Sequence, residues 1–262
     1  MYISKSILQI PTTLSTNEVE STIGRYNDWF YIYNFSNGVS TTVSDSLVNT
    51  IHQTRADLVF PLLDEMFKDR WDKIKCIDIA CNQGWFASQI ALRGASEVIG
   101  FDIRDEHLER ASTIKEISGI QNLSYVNKNL FEVKDNELGQ FDVTLFLGLL
   151  YHLENPMGAL RRVRSLTKNI CVIETQVTRP TRNTEILNGS DTNLKQGATI
   201  GVFSSDEHHV EGGLSVVIVP TLDALYQMLY AVGFNRVYLA VPPKTMYSQY
   251  PEFDRVIVFA QV

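Results

Sequence analysis

The chain has 262 residues, of which 44% are hydrophobic and 20% charged, and 23 basic against 30 acidic side chains give a net charge of −7. A chain of this length can bury one large core or two modest ones. The acidic balance disfavours a broad docking surface for nucleic acid or anionic membrane. The sequence has neither an apolar stretch of about 18 residues nor a signal-peptide pattern. We therefore expect a soluble cytoplasmic protein with no membrane span, and the oligomeric state stays open.

The first 70 residues predict an N-terminal helical extension that acts as a cap. An aromatic segment, DWFYIYNFSNG, precedes a run from Ser46 to Lys68 in which apolar residues recur at helical spacing. From residue 71 onward, short apolar strands alternate with amphipathic helices, which favours a parallel sheet with covering helices. The predicted strands are Ile74–Ile79, Glu97–Asp102, Leu123–Asn127, Phe141–Gly148 and Ile170–Thr175, and the predicted helices are Trp85–Arg93, Asp105–Ser118 and Pro156–Lys168.

The alternation stops after Gln176. Residues 177–213 are polar and rich in Gly, Asn and Thr, and a polar segment of this length inside a domain predicts a lid over a binding site. We therefore expect one domain over residues 71–262 with a lid insertion at about 177–213. Beyond the lid the sequence predicts strand Leu214–Val219, a helix from Leu222 that stops near Gly233, and strands Arg236–Val241 and Asp254–Val262.

Cysteine and histidine spacing predicts no metal site. Three cysteines without paired spacing favour neither a disulfide framework nor zinc, and Cys76 and Cys171 lie in apolar runs typical of buried positions. His208 and His209 stand among acidic residues, but neighbours on an extended chain point to opposite faces. A solvated loop is therefore favoured over metal binding, and entry of His208 into an acceptor pocket stays an open alternative.

The segment CIDIACNQGWFASQIALRGASEVIGFDI carries the main functional signal. It predicts a strand, a turn with Gly84, a helix, and a second strand that ends in Asp102. Backbone amides at such a turn can bind a carboxylate or phosphate, and the acid after the next strand can accept hydrogen bonds from ribose hydroxyls. Neither G-x-G-x-x-G nor a G-x-x-x-x-G-K-[ST] loop is present, so pyrophosphate would be poorly accommodated. A nucleoside with an amino-acid group, S-adenosyl-L-methionine, fits this pattern better.

On these residues the chain resembles the class I S-adenosylmethionine-dependent methyltransferases, over about residues 72–176 and 214–262. The resemblance implies a Rossmann-like α/β fold with a mostly parallel seven-stranded sheet, helices on both faces and an antiparallel last strand. It also implies S-adenosyl-L-methionine as the cofactor. Ala80 and Asn82 replace two glycines that are frequent in this family, so we expect a differently shaped turn. The implied cofactor-binding residues follow four strands and are Asp78, Ala80, Cys81, Asn82, Gly84, Trp85, Asp102, Ile103, Asn129, Leu130 and Leu147.

The residues after the predicted fourth strand resemble a subgroup that contains the tRNA wobble-uridine carboxymethyltransferase and related small-molecule methyltransferases. Leu149-Leu-Tyr-His152, Pro156 and Glu174-Thr175 carry this likeness. It implies that Tyr151 and His152 lie where the methyl group is transferred. His152 is then the candidate base, because histidine titrates near neutral pH. Packing by Tyr151 and turn capping by His152 remain the alternative.

We therefore expect an S-adenosylmethionine-dependent methyltransferase that acts on an oxygen, nitrogen or carbon of a small-molecule acceptor. A tRNA-modifying enzyme is one alternative, although the charge disfavours nucleic acid and the arginines at 161, 162 and 164 predict a solvated helix face. A nicotinamide-dependent oxidoreductase is another, disfavoured by the missing glycine pattern. A binding protein that keeps the fold without catalysis is a further alternative.

Overall fold

The computed structural model describes residues 6–134, 137–179, 200–205, 215–242 and 247–262. The described α-helices are α1 (Thr16–Ile23), α2 (Ser46–Phe67), α3 (Trp85–Leu92), α4 (Asp105–Ser118), α5 (Pro156–Leu166) and α6 (Leu222–Ala231). The described strands are β1 (Lys75–Ile79), β2 (Glu97–Asp102), β3 (Leu123–Asn127), β4 (Phe141–Leu147), β5 (Thr167–Gln176), β6 (Ile200–Ser205), β7 (Ser215–Pro220), β8 (Arg236–Leu239) and β9 (Arg255–Gln261). Within these ranges no helix is long and apolar enough to cross a membrane.

Seven strands form one sheet in the order β3-β2-β1-β4-β5-β9-β8. Strands β1 to β5 pair in parallel, and β9 runs antiparallel to both β5 and β8. The predicted Rossmann-like fold with its antiparallel last strand is confirmed. The order of strands reverses at β1 and β4, and open α/β sheets bind ligands beside the carboxyl ends at such a point.

Alternate side chains along each central strand enter two different apolar layers. Cys76 and Leu145 belong to the layer that includes residues of α2, α3 and α4, whereas Ile77 and Phe146 belong to the layer that includes residues of α5 and α6. Successive side chains of a strand point to opposite faces. Strands that are apolar at nearly every position are therefore buried on both faces of the sheet.

The N-terminal extension is joined to the turn that follows β1 through one side chain. Gln83 in that turn accepts a hydrogen bond from the backbone N–H of Phe30 at 2.8 Å. Its amide nitrogen donates to the carbonyl of Asp28 at 3.1 Å. The Tyr33 hydroxyl donates to the Gln83 carbonyl at 2.5 Å. The aromatic segment of the extension is thus built onto the first turn of the sheet.

Two elements were not predicted from the sequence. Helix α1 lies in the extension, and β6 lies in the stretch expected to be a polar lid, where it pairs antiparallel with β7. The polar average over residues 177–213 concealed the short run Ile200-Gly-Val-Phe. Most of that predicted lid, including His208 and His209, lies outside the described residues.

Candidate active site

A cavity of about 830 Å³ opens at the carboxyl ends of β1, β2 and β4. This position is the point where the strand order reverses, as expected for a ligand site in an open α/β sheet. Nine of the residues implied by the resemblance line it: Ala80, Asn82, Asp102, Ile103, Asn129, Leu130, Leu147, Tyr151 and His152.

The turn after β1 has left-handed backbone at three positions. Ala80, Asn82 and Gly84 have φ angles of 55°, 52° and 79°. Ala80 and Asn82 therefore keep the left-handed backbone that favours glycine, although the sequence predicted a differently shaped turn. Asn82 is suited to this conformation because its side chain bonds locally, here as the acceptor for the Gln83 N–H at 2.7 Å. Gly84 could not be replaced in the same way, because a Cβ at this position would overlap the Tyr125 ring.

Asp102 ends β2 and connects two turns at the cavity wall. One carboxylate oxygen accepts the Asn82 N–H at 2.9 Å, and the other accepts the Arg104 N–H at 3.1 Å. The Arg104 guanidinium also donates to this carboxylate at 3.1 Å. A carboxylate has about four acceptor positions. Asp102 can therefore hold the turn and, once the Arg104 side chain moves, accept hydrogen bonds from the hydroxyls of a ribose.

Apolar surface lies beside Asp102 where a flat base could pack. Ile103 is 63% exposed, and Phe131 is 45% exposed, and both line the cavity together with the buried Leu130. The Asn129 side-chain oxygen accepts the Phe131 N–H at 3.0 Å. One lone pair of that oxygen therefore accepts a backbone hydrogen bond, and the second can accept one from a ligand.

Four of the implied residues are not among those that line the cavity: Asp78, Cys81, Gly84 and Trp85. Asp78 is buried beneath the turn and accepts the Ala87 N–H at 3.1 Å. Burial raises the pKa of Asp78 to about 8. Trp85 donates to the Ile32 carbonyl at 3.1 Å and stacks on Tyr31 with ring centroids 5.9 Å apart. The geometry thus favours packing of Trp85 against the extension over contact with the methionine group.

A buried ionic cluster lies at the other end of the cavity. Glu174, fully buried near the end of β5, forms ion pairs of 2.8 Å with Arg55 from α2 and with Arg255 from β9. Tyr250 donates to the same carboxylate at 3.0 Å. Burial alone would raise the pKa of Glu174, but the two arginines outweigh it and hold the pKa below its ordinary value.

Tyr151 lies beside this cluster, and His152 lies beside Tyr151. The Arg255 guanidinium donates to the Tyr151 hydroxyl at 3.2 Å and lies 5.0 Å from the centre of its ring. The rings of Tyr151 and His152 have centroids 3.9 Å apart. Both side chains line the cavity, so the structure brings together the two residues singled out for the transfer step.

Several lining residues were missed from the sequence, above all Phe30, Tyr31 and Arg55 from the extension. One signal for Arg55 was present. It stands four residues after Ile51 and three before Leu58, on the apolar face of a predicted helix, where an arginine needs a partner. Which partner it meets depends on β5, more than 100 residues away in sequence.

The fold and this cavity define a Rossmann-like protein whose candidate site lies where the strand order reverses. The methyltransferase domain family matches residues 71–227, more than half of the chain. The chain belongs to this family, and S-adenosyl-L-methionine is the cofactor that the resemblance in its sequence implies. The residues present suit that cofactor, because Asp102 and the exposed Ile103 face one cavity beside a turn of left-handed backbone. When bound, the cofactor supplies an electrophilic methyl group on a sulfonium.

Curated relatives match only part of the chain. The tRNA U34 carboxymethyltransferase of Campylobacter hominis is 31% identical over 100 residues, which are 35% of this chain and 31% of that protein. The ubiquinone biosynthesis O-methyltransferase of Acinetobacter baumannii is 27% identical over 94 residues, 36% of this chain and 39% of that protein. The matches thus span less than half the length of these relatives.

Solved structures share the fold over most of the chain. The N-terminal domain of EvdMO1, solved in the presence of SAH and D-fucose, has a TM-score of 0.69 at 19% identity and covers 95% of this chain and 97% of that one. Magnesium protoporphyrin IX methyltransferase of Synechocystis with bound SAH has a TM-score of 0.54 at 14% identity, over 84% of this chain and 89% of that one.

Proposed function

We propose that the enzyme transfers the methyl group to a small-molecule acceptor held inside the cavity. One observation carries this proposal: a single cavity runs from Asp102 at one end to Tyr151 and His152 at the other. Its volume of about 830 Å³ lies in the upper range for small-molecule sites. Phe30 and Tyr31 of the extension form part of its wall, which suits an acceptor that is enclosed rather than presented on a large macromolecule.

The proposed roles follow from position along the cavity. Asp102 accepts hydrogen bonds from the ribose, Ile103 and Leu130 hold the adenine between them, and the Ala80–Asn82 turn faces the methionine group. Methyl transfer is an in-line displacement, so positioning and exclusion of water supply much of the acceleration. His152 takes the acceptor's proton where the acceptor arrives protonated.

Contacts within the fold made by Arg164 on α5 and by Lys168 at the start of β5 support a small acceptor over tRNA. Arg164 donates to the Gly233 carbonyl at 2.9 Å and lies over the Phe234 ring. Lys168, just beyond the helix, pairs with Asp142 at 3.0 Å. Arg164 thus holds α5 to the turn after α6, Lys168 joins β5 to β4, and the net charge of −7 further disfavours an RNA surface.

Turnover of radiolabelled donor tests the proposal. The protein is incubated with S-adenosylmethionine labelled on its methyl group, in parallel with a metabolite extract and with bulk tRNA. We expect label in the low-molecular-weight fraction of the extract. Label in tRNA alone would overturn the small-molecule acceptor. Calorimetric titration with the donor, its demethylated product and NAD is run alongside, and binding of NAD alone would favour the oxidoreductase alternative.

A further inference from the structure

The end of the cavity lined by Arg55, Tyr151 and His152, which we call the acceptor end, has more positive than negative charge. Among the described residues, the cluster consists of two guanidinium groups, Arg55 and Arg255, and one carboxylate, Glu174. Burial lowers the pKa of the adjacent His52 to about 3, so its imidazole is neutral. The buried cluster therefore has a charge of +1, and a buried charge without a counter-charge is costly.

The two arginines differ in how far their donors are used. Arg255 donates to Glu174, to the Tyr151 hydroxyl and to the Gln249 side chain. Arg55 pairs with Glu174 through one terminal nitrogen and also interacts with the Tyr250 hydroxyl, but its Nε has no hydrogen-bond partner among the described residues. Arg55 is 93% buried and lines the cavity. Arg55 is therefore the member of the cluster that presents the excess charge to a ligand.

This charge lies apart from the donor end of the cavity. Arg55 is packed against Gly148 after β4 and interacts electrostatically with Glu174, Tyr151 and Tyr250. At the donor end, Asp102 is instead paired with Arg104. A group bound at Arg55 thus lies beyond the end of β4, near Gly148 and Tyr151.

We propose that Arg55 binds an anionic oxygen group of the acceptor, a carboxylate or a phosphate. The inference rests on the small-molecule acceptor proposed above and names its class. An anionic group would supply the counter-charge that the cluster lacks, and a charge-assisted hydrogen bond to a guanidinium can be bidentate. The same anion would lie near the positive sulfonium, so electrostatic attraction would favour binding of both ligands together.

Ligand-observed NMR titration tests this proposal with matched probes. Benzoate and phenyl phosphate are the anionic probes, benzamide is the neutral one, and S-adenosylhomocysteine at saturation fills the donor end. We expect wild-type protein to bind at least one anionic probe at least tenfold more tightly than benzamide. Arg55→Met should weaken that probe by about 10- to 150-fold, the range for loss of a charge-assisted hydrogen bond. Arg55→Lys should keep part of the preference.

A control variant separates a specific site from a general effect of charge. Lys128 lines the same cavity near Asn129 and pairs with Glu137, so Lys128→Met should leave binding of the anionic probe unchanged. Equal binding of all three probes to wild-type protein would overturn the proposal, and this result needs no variant to fold. The proposal would also be overturned by an Arg55→Met variant that still prefers the anionic probe but binds S-adenosylhomocysteine at least tenfold more weakly. Arg55 would then serve the donor and not the acceptor. Absence of S-adenosylhomocysteine binding to wild type would instead refute the proposed function.

Discussion

The two ends of the cavity are built by different means. At the donor end, the backbone of the turn after β1 supplies the shape, and Asp102 holds that turn through the Asn82 N–H. At the acceptor end, side chains supply it. Arg55, Glu174 and Arg255 come from α2, β5 and β9 and meet through ion pairs of 2.8 Å.

The difference shows which kind of site tolerates substitution. Ala80 and Asn82 keep left-handed backbone where glycine is frequent, so the donor end can change residues while its shape persists. The acceptor end offers less freedom, because removing one charge of a buried cluster leaves the others without a partner. We therefore expect changes at the acceptor end to affect turnover and folding stability, and changes at the donor end to affect mainly binding of the cofactor.

The largest effect should follow His152→Ala, the sharpest test of chemistry at the acceptor end. If His152 takes the acceptor's proton, single-turnover transfer should slow by about 10²- to 10⁴-fold while cofactor affinity changes little. Tyr151→Phe is the companion variant, because it keeps the ring and removes the hydroxyl that Arg255 contacts at 3.2 Å. Transfer at the wild-type rate in His152→Ala would mean that positioning alone suffices.

Glu174→Leu should give the largest loss of stability. The substitution leaves Arg55 and Arg255 buried without their carboxylate, and breaking a buried pair costs about 3–5 kcal/mol of unfolding free energy. Urea unfolding measures the cost as a lower midpoint. The control is Glu97→Leu, which breaks the exposed pair with Lys75 and should have a far smaller effect. Similar losses in the two variants would contradict the view that the cluster holds this end together.

The same contrast explains what the sequence could predict. The donor end lies within short stretches, so strand, turn, helix and acid follow one another from Lys75 to Asp102, and both strands of that unit agree closely with the structure. Helix α1 was also readable, since Ser15 and Glu18 form a capping box, a pattern that marks a helix start.

The acceptor end could not be assembled in this way. Glu174 and Tyr151 were singled out only through a resemblance, and Arg55 and Arg255 were not singled out. Their meeting depends on the packing of α2 over the sheet and on the antiparallel pairing of β9 with β5, which sets Gln176 opposite Arg255. Contacts over such distances leave no periodic signal in the sequence.

Asp102→Ala should show the donor end's dependence on one side chain. Loss of a charge-assisted hydrogen bond to the ribose costs about 1.5–3 kcal/mol, or about 10- to 150-fold in cofactor affinity. Because Asp102 also accepts the N–H groups of Asn82 and Arg104, a modest loss of thermal stability should accompany it. Calorimetric titration measures the affinity. An unchanged dissociation constant would remove Asp102 from the cofactor site.

The smallest expected effect is a change in the pH dependence of folding stability at Asp78, which is buried beneath the turn after β1. Burial raises its pKa from 3.8 to about 8 in the folded protein. The folded state therefore holds more protons than the unfolded state between these values, and this carboxyl lowers the unfolding free energy as the pH rises through that window. Asp78→Asn removes the titrating group and keeps an oxygen that can accept the Ala87 N–H.

Thermal unfolding of wild type and Asp78→Asn from pH 5 to pH 8 measures this effect. The melting temperature of the variant, relative to wild type, should rise steadily toward pH 8, because only the wild type releases a proton from this position when it unfolds. Asp72→Asn, at an exposed position, serves as the control and should run parallel to wild type. If the Asp78→Asn curve also runs parallel to wild type, Asp78 has the same pKa in the folded and unfolded states. Burial then does not perturb the carboxyl beneath the turn after β1.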